Sequence, residues 1–311
     1  MSITAKLTSE RSAFNASMTT SKGIIEASIT EEIGAFNAFI NTSTRIPDHL
    51  EIEGDWNGYC VCGDPVSENI QNMVFKCVYR NGSYSLCTPT PSPEVWGDTE
   101  GEQTVTFSYE EGGVVITASK SAYINKPKPV GGIVFYIDNS ADGTYFFWDA
   151  NGDEVNAPAV GTDCTGWNYA VIGATKDKFY VLYNNEIGNG IGYSGNVLVG
   201  ASGTAIGTGK SNSQKLAAIA TSSTGRIGGK LNQINARTLG GCSDWYVGST
   251  EELTALKLSG VGNTPSWFSS SYIWSSSEIN ESTAYLRYYT DGVWHTNGKA
   301  YNAYVFFIRS F

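Results

Sequence analysis

Four times in its first 46 residues the chain repeats one pattern at a spacing of eleven residues. The copies are Ile3-Thr4-Ala5-Lys6-Leu7-Thr8, Phe14-Asn15-Ala16-Ser17-Met18-Thr19, Ile25-Glu26-Ala27-Ser28-Ile29-Thr30 and Phe36-Asn37-Ala38-Phe39-Ile40-Asn41. Each reads apolar, any, Ala, any, apolar, Thr or Asn. An eleven-residue period matches three turns of a right-handed helical coiled coil, which also needs an apolar eighth position. That position holds Glu10, Ser21, Glu32 and Ser43, and Gly23 and Gly34 weaken any helix. Alternation at the first, third and fifth positions is instead a strand pattern with one apolar face. A single strip cannot cover that face, whereas three copies around an axis can. The sequence therefore predicts a homotrimeric β-repeat stem over residues 1–46. The competing reading is an irregular N-terminal arm docked on a large partner.

The remaining length, in a chain of 311 residues, calls for two further domains. Charged residues make up only 16% and aromatics 13%, with 35 glycines. That profile favours a mostly β, loop-rich surface protein, and Tyr, Ser, Asn and Gly are the residues of adaptable binding surfaces. The net charge is −10, and the acidic excess is concentrated in residues 47–130. No basic patch follows a phosphate backbone, which argues against nucleic acid and against anionic membrane. No apolar run approaches the ~20 residues of a membrane span. No secretory leader is evident at the N-terminus, so the expectation is a chain that stays in the cytoplasm or leaves it inside an assembled particle.

Residues 47–125 read as a small β spacer domain. Asn81-Gly82 joins a strand at Val74–Tyr79 to one at Tyr84–Cys87, and Gly112-Gly113 joins Thr104–Tyr109 to Val114–Ser119. Thr88–Pro93 reads as a Pro-rich break. Cys60, Cys62, Cys77 and Cys87 lie here, without the spacing of a zinc site, and are expected as free buried thiols or as a disulfide formed after release. Lys126-Pro127-Lys128-Pro129 reads as a stiff linker over 126–130. Residues 131–311 form an α+β domain with strands at Gly131–Asp138, at Tyr145–Asp149 and from 272 onward. Helices open at Ser211-x-x-Gln214, with Leu216, Ala217, Ile219 and Ala220 as packing face, and at Ser249-x-x-Glu252, closing near Gly260.

Several ordered blocks of this last domain carry a resemblance. They are Gly131-Gly132-Ile133-Val134-Phe135-Tyr136, Thr204 to Asn212, Ser243-Asp244-Trp245, Ser249-x-x-Glu252-Leu253, Tyr272-Ile273-Trp274-Ser275-Ser276-Ser277-Glu278 and the closing Tyr304 to Phe311. Together they resemble the C-terminal domain of the Legionella collagen-like adhesin, a family found in bacterial surface proteins and phage fibres. That family is similar in turn to the C-type lectin-like fold. The chain departs from it at Val247-Gly248-Ser249, at Phe306-Phe307 and at Tyr285. The resemblance implies a structural role for the Ser275–Ser277 run. It also implies that ligand contacts lie in the C-terminal stretch, as in the retroelement-diversified relatives. C-type lectins proper bind calcium through motifs that are absent here. Relatives that generate formylglycine need a reactive Cys pair; Cys164 and Cys242 lie in unrelated blocks, and a structural Cys pair is the expectation instead.

Catalytic chemistry finds little purchase. The two histidines are His49, beside the repeat in an expected linker, and His295, between Trp294 and Thr296, on which a Ser-His-Asp triad would have to be built. Asp244, Glu278 and Asp291 are the carboxylates a glycan-cleaving site would draw on; Asp244 and Glu278 are expected to accept backbone hydrogen bonds. Trp245 and Trp274 are expected in the core. Asp149-x-Asn151-Gly152-Asp153-Glu154 reads as an acidic turn rather than a cation loop, and Gly188-x-Gly190-x-Gly192 as a flexible loop. No catalytic residue, metal or cofactor is assigned.

What remains is a surface. Strand alternation, together with the core aromatic that the resemblance implies at this place, sends Tyr289 and Tyr285 inward and leaves Tyr288 outward. Exposed aromatics fill pockets or stack on sugar rings, and Asn supplies directional hydrogen bonds. Tyr288, Trp294, His295, Asn297, Tyr301 and Asn302 are the expected ligand-binding residues. The functional expectation is a non-enzymatic phage fibre protein in the virion: a trimer attached to other virion proteins through residues 1–46, whose last domain binds a host surface glycan or protein. The alternative is a purely structural virion protein whose last domain packs on other particle proteins.

Overall fold

The computed structural model describes residues 2–9, 12–19, 45–220, 225–261, 271–288 and 290–311, with residues 2–9, 12–19 and 184–187 described by their backbone alone. Among these residues strands predominate over three short α-helices, so the protein is mostly β, as its composition predicts. The chain divides into two compact units, Met1–Ile124 and Asn125–Phe311.

In the first unit, β1 (Ser2–Ser9) and β2 (Ser12–Thr19) form an antiparallel hairpin. Its register sets Ile3 opposite Met18, Ala5 opposite Ala16 and Leu7 opposite Phe14. The apolar positions of the first two repeat copies therefore share one face of the pair, as a period of two requires. The third and fourth copies lie outside the described residues.

Seven further strands follow: β3 (Pro47–Glu53), β4 (Cys60–Val61), β5 (Val74–Tyr79), β6 (Tyr84–Leu86), β7 (Thr90–Ser92), β8 (Gly101–Glu111) and β9 (Val114–Asn125). They make two sheets, ordered β3-β5-β6 and β4-β9-β8-β7. Both expected hairpins are present, and Gly82 supplies the positive φ, 78°, of the first turn. Thr88–Pro93 is not a plain break: β7 pairs with β8 at the sheet edge, the one place where a strand proline leaves no ladder bond unmade. One core draws on both sheets, with Phe75, Cys77, Trp96, Val105 and Phe107 buried in it. Trp96 donates from Nε1 to Asn69 Oδ1 at 2.8 Å, and Trp56 meets its ring edge-on at 5.1 Å.

The second unit contains β10 (Lys128–Pro129), β11 (Ile133–Ile137), β12 (Thr144–Trp148), β13 (Glu154–Val155), β14 (Asn168–Ile172) and β15 (Phe179–Ile191). Helices α1 (Gly209–Ala218), α2 (Ile227–Ala236) and α3 (Thr250–Ser259) follow, then β16 (Tyr272–Glu278), β17 (Thr283–Tyr288), β18 (Trp294–Gly298) and β19 (Ala303–Ser310). The strands form a four-stranded sheet, β10-β14-β12-β13, and a six-stranded sheet, β11-β15-β19-β16-β17-β18. The whole of the expected linker, 126–130, belongs to this unit. Lys128 and Pro129 pair with Tyr169 and Asn168, Val130 is fully buried, and Arg309 donates from Nη1 to the Pro129 carbonyl at 2.7 Å.

The larger sheet has a core on each face. Ala303, Val305 and Phe307 of β19 join one apolar cluster with Trp245, Trp274 and Leu216, while Phe306 and Ile308 join another with Leu253 and Leu256 of α3. A strand covered on both sides reads as an unbroken apolar run, which explains Val305-Phe306-Phe307-Ile308.

The helices differ from expectation in part. α3 carries the predicted capping box: Glu252 N donates to Ser249 Oγ and Ser249 N to Glu252 Oε2, with Gly260 in the left-handed region at φ 75° closing the helix. α1 starts at Gly209, so Ser211 lies inside the helix and is exposed. Its inward face is Asn212, Ser213 and Leu216, whereas Ile219 is exposed. Polar residues replace the expected apolar stripe because each finds a backbone partner: Asn212 Nδ2 donates to Gly203 O, and Ser213 Oγ to Val247 O. α2 is a third helix that the sequence did not announce.

Candidate functional site

Strands β16 to β18 occupy one end of the six-stranded sheet, where the pleat sends neighbouring side chains to opposite faces. The register pairs Tyr272 with Tyr288, Arg287 with Trp294 and Leu286 with His295. One face meets α3. There Arg287 Nη1 and Trp294 Nε1 donate to Thr254 Oγ1 at 3.0 and 3.2 Å, and the Arg287 guanidinium lies 5.4 Å from the Trp294 ring centre.

The opposite face carries an aromatic cluster. The rings of Tyr288, His295 and Tyr301 gather round Tyr272, with centroids 5.0, 5.7 and 5.9 Å away. His295 and Tyr301 meet Tyr272 edge-on, at 85° and 89°, the arrangement that ring quadrupoles favour. All four residues keep surface in contact with solvent, Tyr301 most of all at 40%. Among the described residues, the hydroxyls of Tyr272, Tyr288 and Tyr301 and both ring nitrogens of His295 have no hydrogen-bond partner. Half-buried rings with unused polar edges are what a recognition surface presents.

Of the six residues read from the sequence, Tyr288, His295 and Tyr301 come together. Asn297 lies two residues along β18 from His295, on the same face, with its Oδ1 accepting from Gly298 N. Asn302 is exposed beside Tyr301 in sequence. Trp294 is separated from the others, half-buried against Arg287 and Thr254. Residues 294–298, expected as a Gly-flanked loop, form β18, and adjacent residues of one strand cannot share a face, which parts Trp294 from His295. Tyr272, the centre of the cluster, escaped sequence reasoning because only the β16–β17 register brings it beside Tyr288. Tyr285 is half-buried, opposite Thr296, and Tyr289 lies outside the described residues.

The cluster stands on a rigid base. Trp274 is fully buried and donates from Nε1 to the carbonyls of Ile191 and Tyr301, at 3.0 and 3.3 Å. The Ser275–Ser277 run is fully buried: Ser275 Oγ donates to Tyr285 O and Ser277 Oγ to Gly203 O. Glu278 and Lys299 form an ion pair at 2.7 Å, with side chains 1% and 0% exposed. The Glu278 carboxylate also accepts from the backbone N–H groups of Val199, Gly200 and Ala201, and Lys299 Nζ donates to Val197 O. Burial alone would raise the Glu278 pKa, but the Lys299 ammonium and these amides outweigh it and hold the carboxyl below its ordinary range. Lys299 thus anchors the turn in which Tyr301 N donates to Gly298 O.

Groups with catalytic potential are tied up elsewhere. Asp244 accepts from Arg309 Nε at 2.6 Å rather than from backbone, and Asp291 accepts from Val293 N. Asp149 accepts from the N–H groups of Asn151 and Asp153, which makes its loop a closed turn. Among the described residues, no group of three or more His, Cys, Asp or Glu side chains is placed to hold a metal ion. All six cysteines are free thiols, so the structural pair expected of Cys164 and Cys242 is not formed. Burial pushes Cys164 up to about 12 and Cys242 up to about 11, so neither is a ready nucleophile. A cleft of about 220 Å³ between α1 and α2 is lined by Lys210, Ser213, Gln214, Asn235, Asp244 and other residues. It holds none of the cluster residues, and Ser213, Asn235 and Asp244 are spent on Val247, Trp245 and Arg309. Comparison with protein-family models, with curated proteins and with solved structures returned no match.

Proposed function

We propose that this is a non-enzymatic phage fibre protein whose second unit, with a C-type lectin-like fold, binds a receptor on the host cell surface. The observation that carries the reading is the convergence of Tyr288, His295 and Tyr301 on Tyr272, with their polar atoms unspent. A buried ion pair and a buried Trp hold the supporting turn, the rigid second layer that a binding surface needs. The pairing of β15 with both β11 and β19, which brings the two ends of the unit into one sheet, supports the lectin-like reading. In the first unit, the shared apolar face of β1 and β2 supports a trimeric stem: an isolated two-stranded hairpin is marginal in water and needs a cover. The stem also attaches the fibre to other virion proteins, and three weak sites on one trimer gain by avidity.

A structural role in the particle is favoured by a different feature. Val197 and Leu198, 48% and 70% exposed, lie on the loop pinned by Glu278 and Lys299, and Ile279 follows Glu278 in the chain with 41% exposed. One experiment separates the two readings. Fluorescently labelled full-length protein is titrated onto a panel of bacterial isolates, beside the Tyr301→Ala and His295→Ala variants. Saturable binding to some isolates, weakened in both variants, supports the receptor reading; binding to none, or binding that both variants leave unchanged, overturns it. Light scattering that shows a monomer sinks the stem.

A further inference from the structure

The chemistry of the aromatic cluster narrows what it can hold. Resting on the receptor reading, we infer that its ligand is a neutral carbohydrate, one pyranose residue of which lies against Tyr272 and Tyr301. The argument starts from charge. Between Tyr272 and Tyr304 the ionisable residues other than His and Tyr are Glu278, Glu281, Arg287, Asp291 and Lys299. Glu278 and Lys299 neutralise each other in the interior. Arg287 is buried on the opposite face with Trp294. Glu281 belongs to the turn between β16 and β17, where Asn280 Oδ1 accepts from Ser282 N and Thr283 N. Asp291 belongs to the turn that follows Tyr288, in which Gly292 N donates to Tyr288 O. Apart from the His295 ring, the segment therefore offers a bound anion no free Lys or Arg and one exposed carboxylate near Tyr288. A sialylated, uronic or phosphorylated ligand would lose its hydration without gaining a partner.

The polar groups point the same way. Three phenol hydroxyls both donate and accept, the His295 ring nitrogens add further hydrogen-bonding groups, and the Asn297 and Asn302 amides add both kinds. That mixture matches sugar hydroxyls, each of which also donates and accepts. A quaternary ammonium would use the ring faces and leave the polar edges unmatched. A pyranose presents one apolar C–H face and a rim of hydroxyls, so it can cover a ring and reach its edges together.

The test uses the full-length protein and saturation-transfer NMR with the methyl glycosides of glucose, galactose and N-acetylglucosamine. Glucuronic acid, N-acetylneuraminic acid and choline serve as competitors of other chemistry. The inference expects transfer to at least one neutral glycoside, insensitive to salt between 50 mM and 500 mM. It expects at least about tenfold weaker binding in Tyr301→Ala, whose ring is the most exposed of the four, and in Tyr272→Phe if the hydroxyl is used. Tyr301→Ala leaves the backbone carbonyl that Trp274 uses, so the variant retains its fold, checked by circular dichroism. Transfer confined to an acidic sugar or to choline, or neutral-sugar binding unchanged in both variants, overturns the inference. Binding to bacteria that protease treatment of the cells abolishes, with no transfer to any sugar, also overturns it and leaves the receptor reading standing. Sugar binding without binding to any isolate does the reverse.

Discussion

Replacing Lys299 by Met tests the buried ion pair directly. The substitution keeps most of the stem volume but removes the ammonium that meets Glu278 at 2.7 Å and Val197 O at 2.7 Å. Removing one partner of a buried pair costs about 3–5 kcal/mol, because the other charge is left in a poorly solvated site. Glu278 keeps its three backbone N–H donors, which softens the loss, so the expected cost is about 3 kcal/mol. For a unit of this length that is a fall of about 6–12 °C in its melting temperature. The pH dependence has a definite sign. The native Glu278 carboxyl titrates below its ordinary value, so in the wild type its stabilisation is complete above the unfolded carboxylate range and is lost as pH falls through the native value. Without Lys299, burial dominates and lifts the carboxyl; the variant then regains stability as pH falls and the group protonates. The gap between the two proteins should narrow from pH 7 to pH 4. Urea denaturation of the full chain at both pH values measures it, and hydrogen exchange at the Val199 and Ala201 amides localises it. A cost under about 1 kcal/mol at pH 7, or a gap that stays constant with pH, would refute the reasoning. Because Lys299 anchors the turn carrying Tyr301, ligand binding should weaken in the same variant.

Three further outcomes follow from the packing of buried groups. Gly209→Ala would set a Cβ 2.1 Å from Glu252 Oε2 and 2.7 Å from Ser249 N, so it should cost about 1–3 kcal/mol and unseat the α3 cap, seen as lost protection of the Glu252 amide. Glu252→Gln should cost about 2 kcal/mol in denaturant titration, although burial raises the Glu252 carboxyl, because its two oxygens accept from Ser249 N, Gly207 N and the Tyr246 hydroxyl and an amide group in that place turns one acceptor into a donor. In native protein a disulfide-exchange reagent should leave Cys164 and Cys242 unmodified while the half-buried Cys62 and Cys87 react, and all six should react in guanidinium; fast native labelling of Cys242 would contradict its burial.

Much of the scaffold is readable wherever one local rule decides the outcome. The Asn81-Gly82 turn, the Ser249–Glu252 cap and the Gly260 stop depend on residues within four positions of one another. α2 escapes such reading for the opposite reason. Its Gly228-Gly229 pair lowers helix propensity and mimics a loop, yet a Cβ at Gly228 would lie 2.1 Å from Leu216 O, so the glycine is there to let α2 cross close to α1. The start of α1 at Gly209 likewise answers to Glu252, 43 positions further along. Lys299 reads as a surface residue until Glu278 and Val197 are brought to it.

Which residues alternate, which turns close and where the aromatic, Asn-bearing segments fall are all legible in the sequence. It placed three cluster members, Tyr288, His295 and Tyr301, within that stretch. Which of the candidates share a face is a property of the folded sheet. Strand register brings Tyr272 to Tyr288 and pleat parity sends Trp294 away to Arg287 and Thr254. Register is a relation between strands, set by the packing of both sheet faces at once, and no single segment carries it.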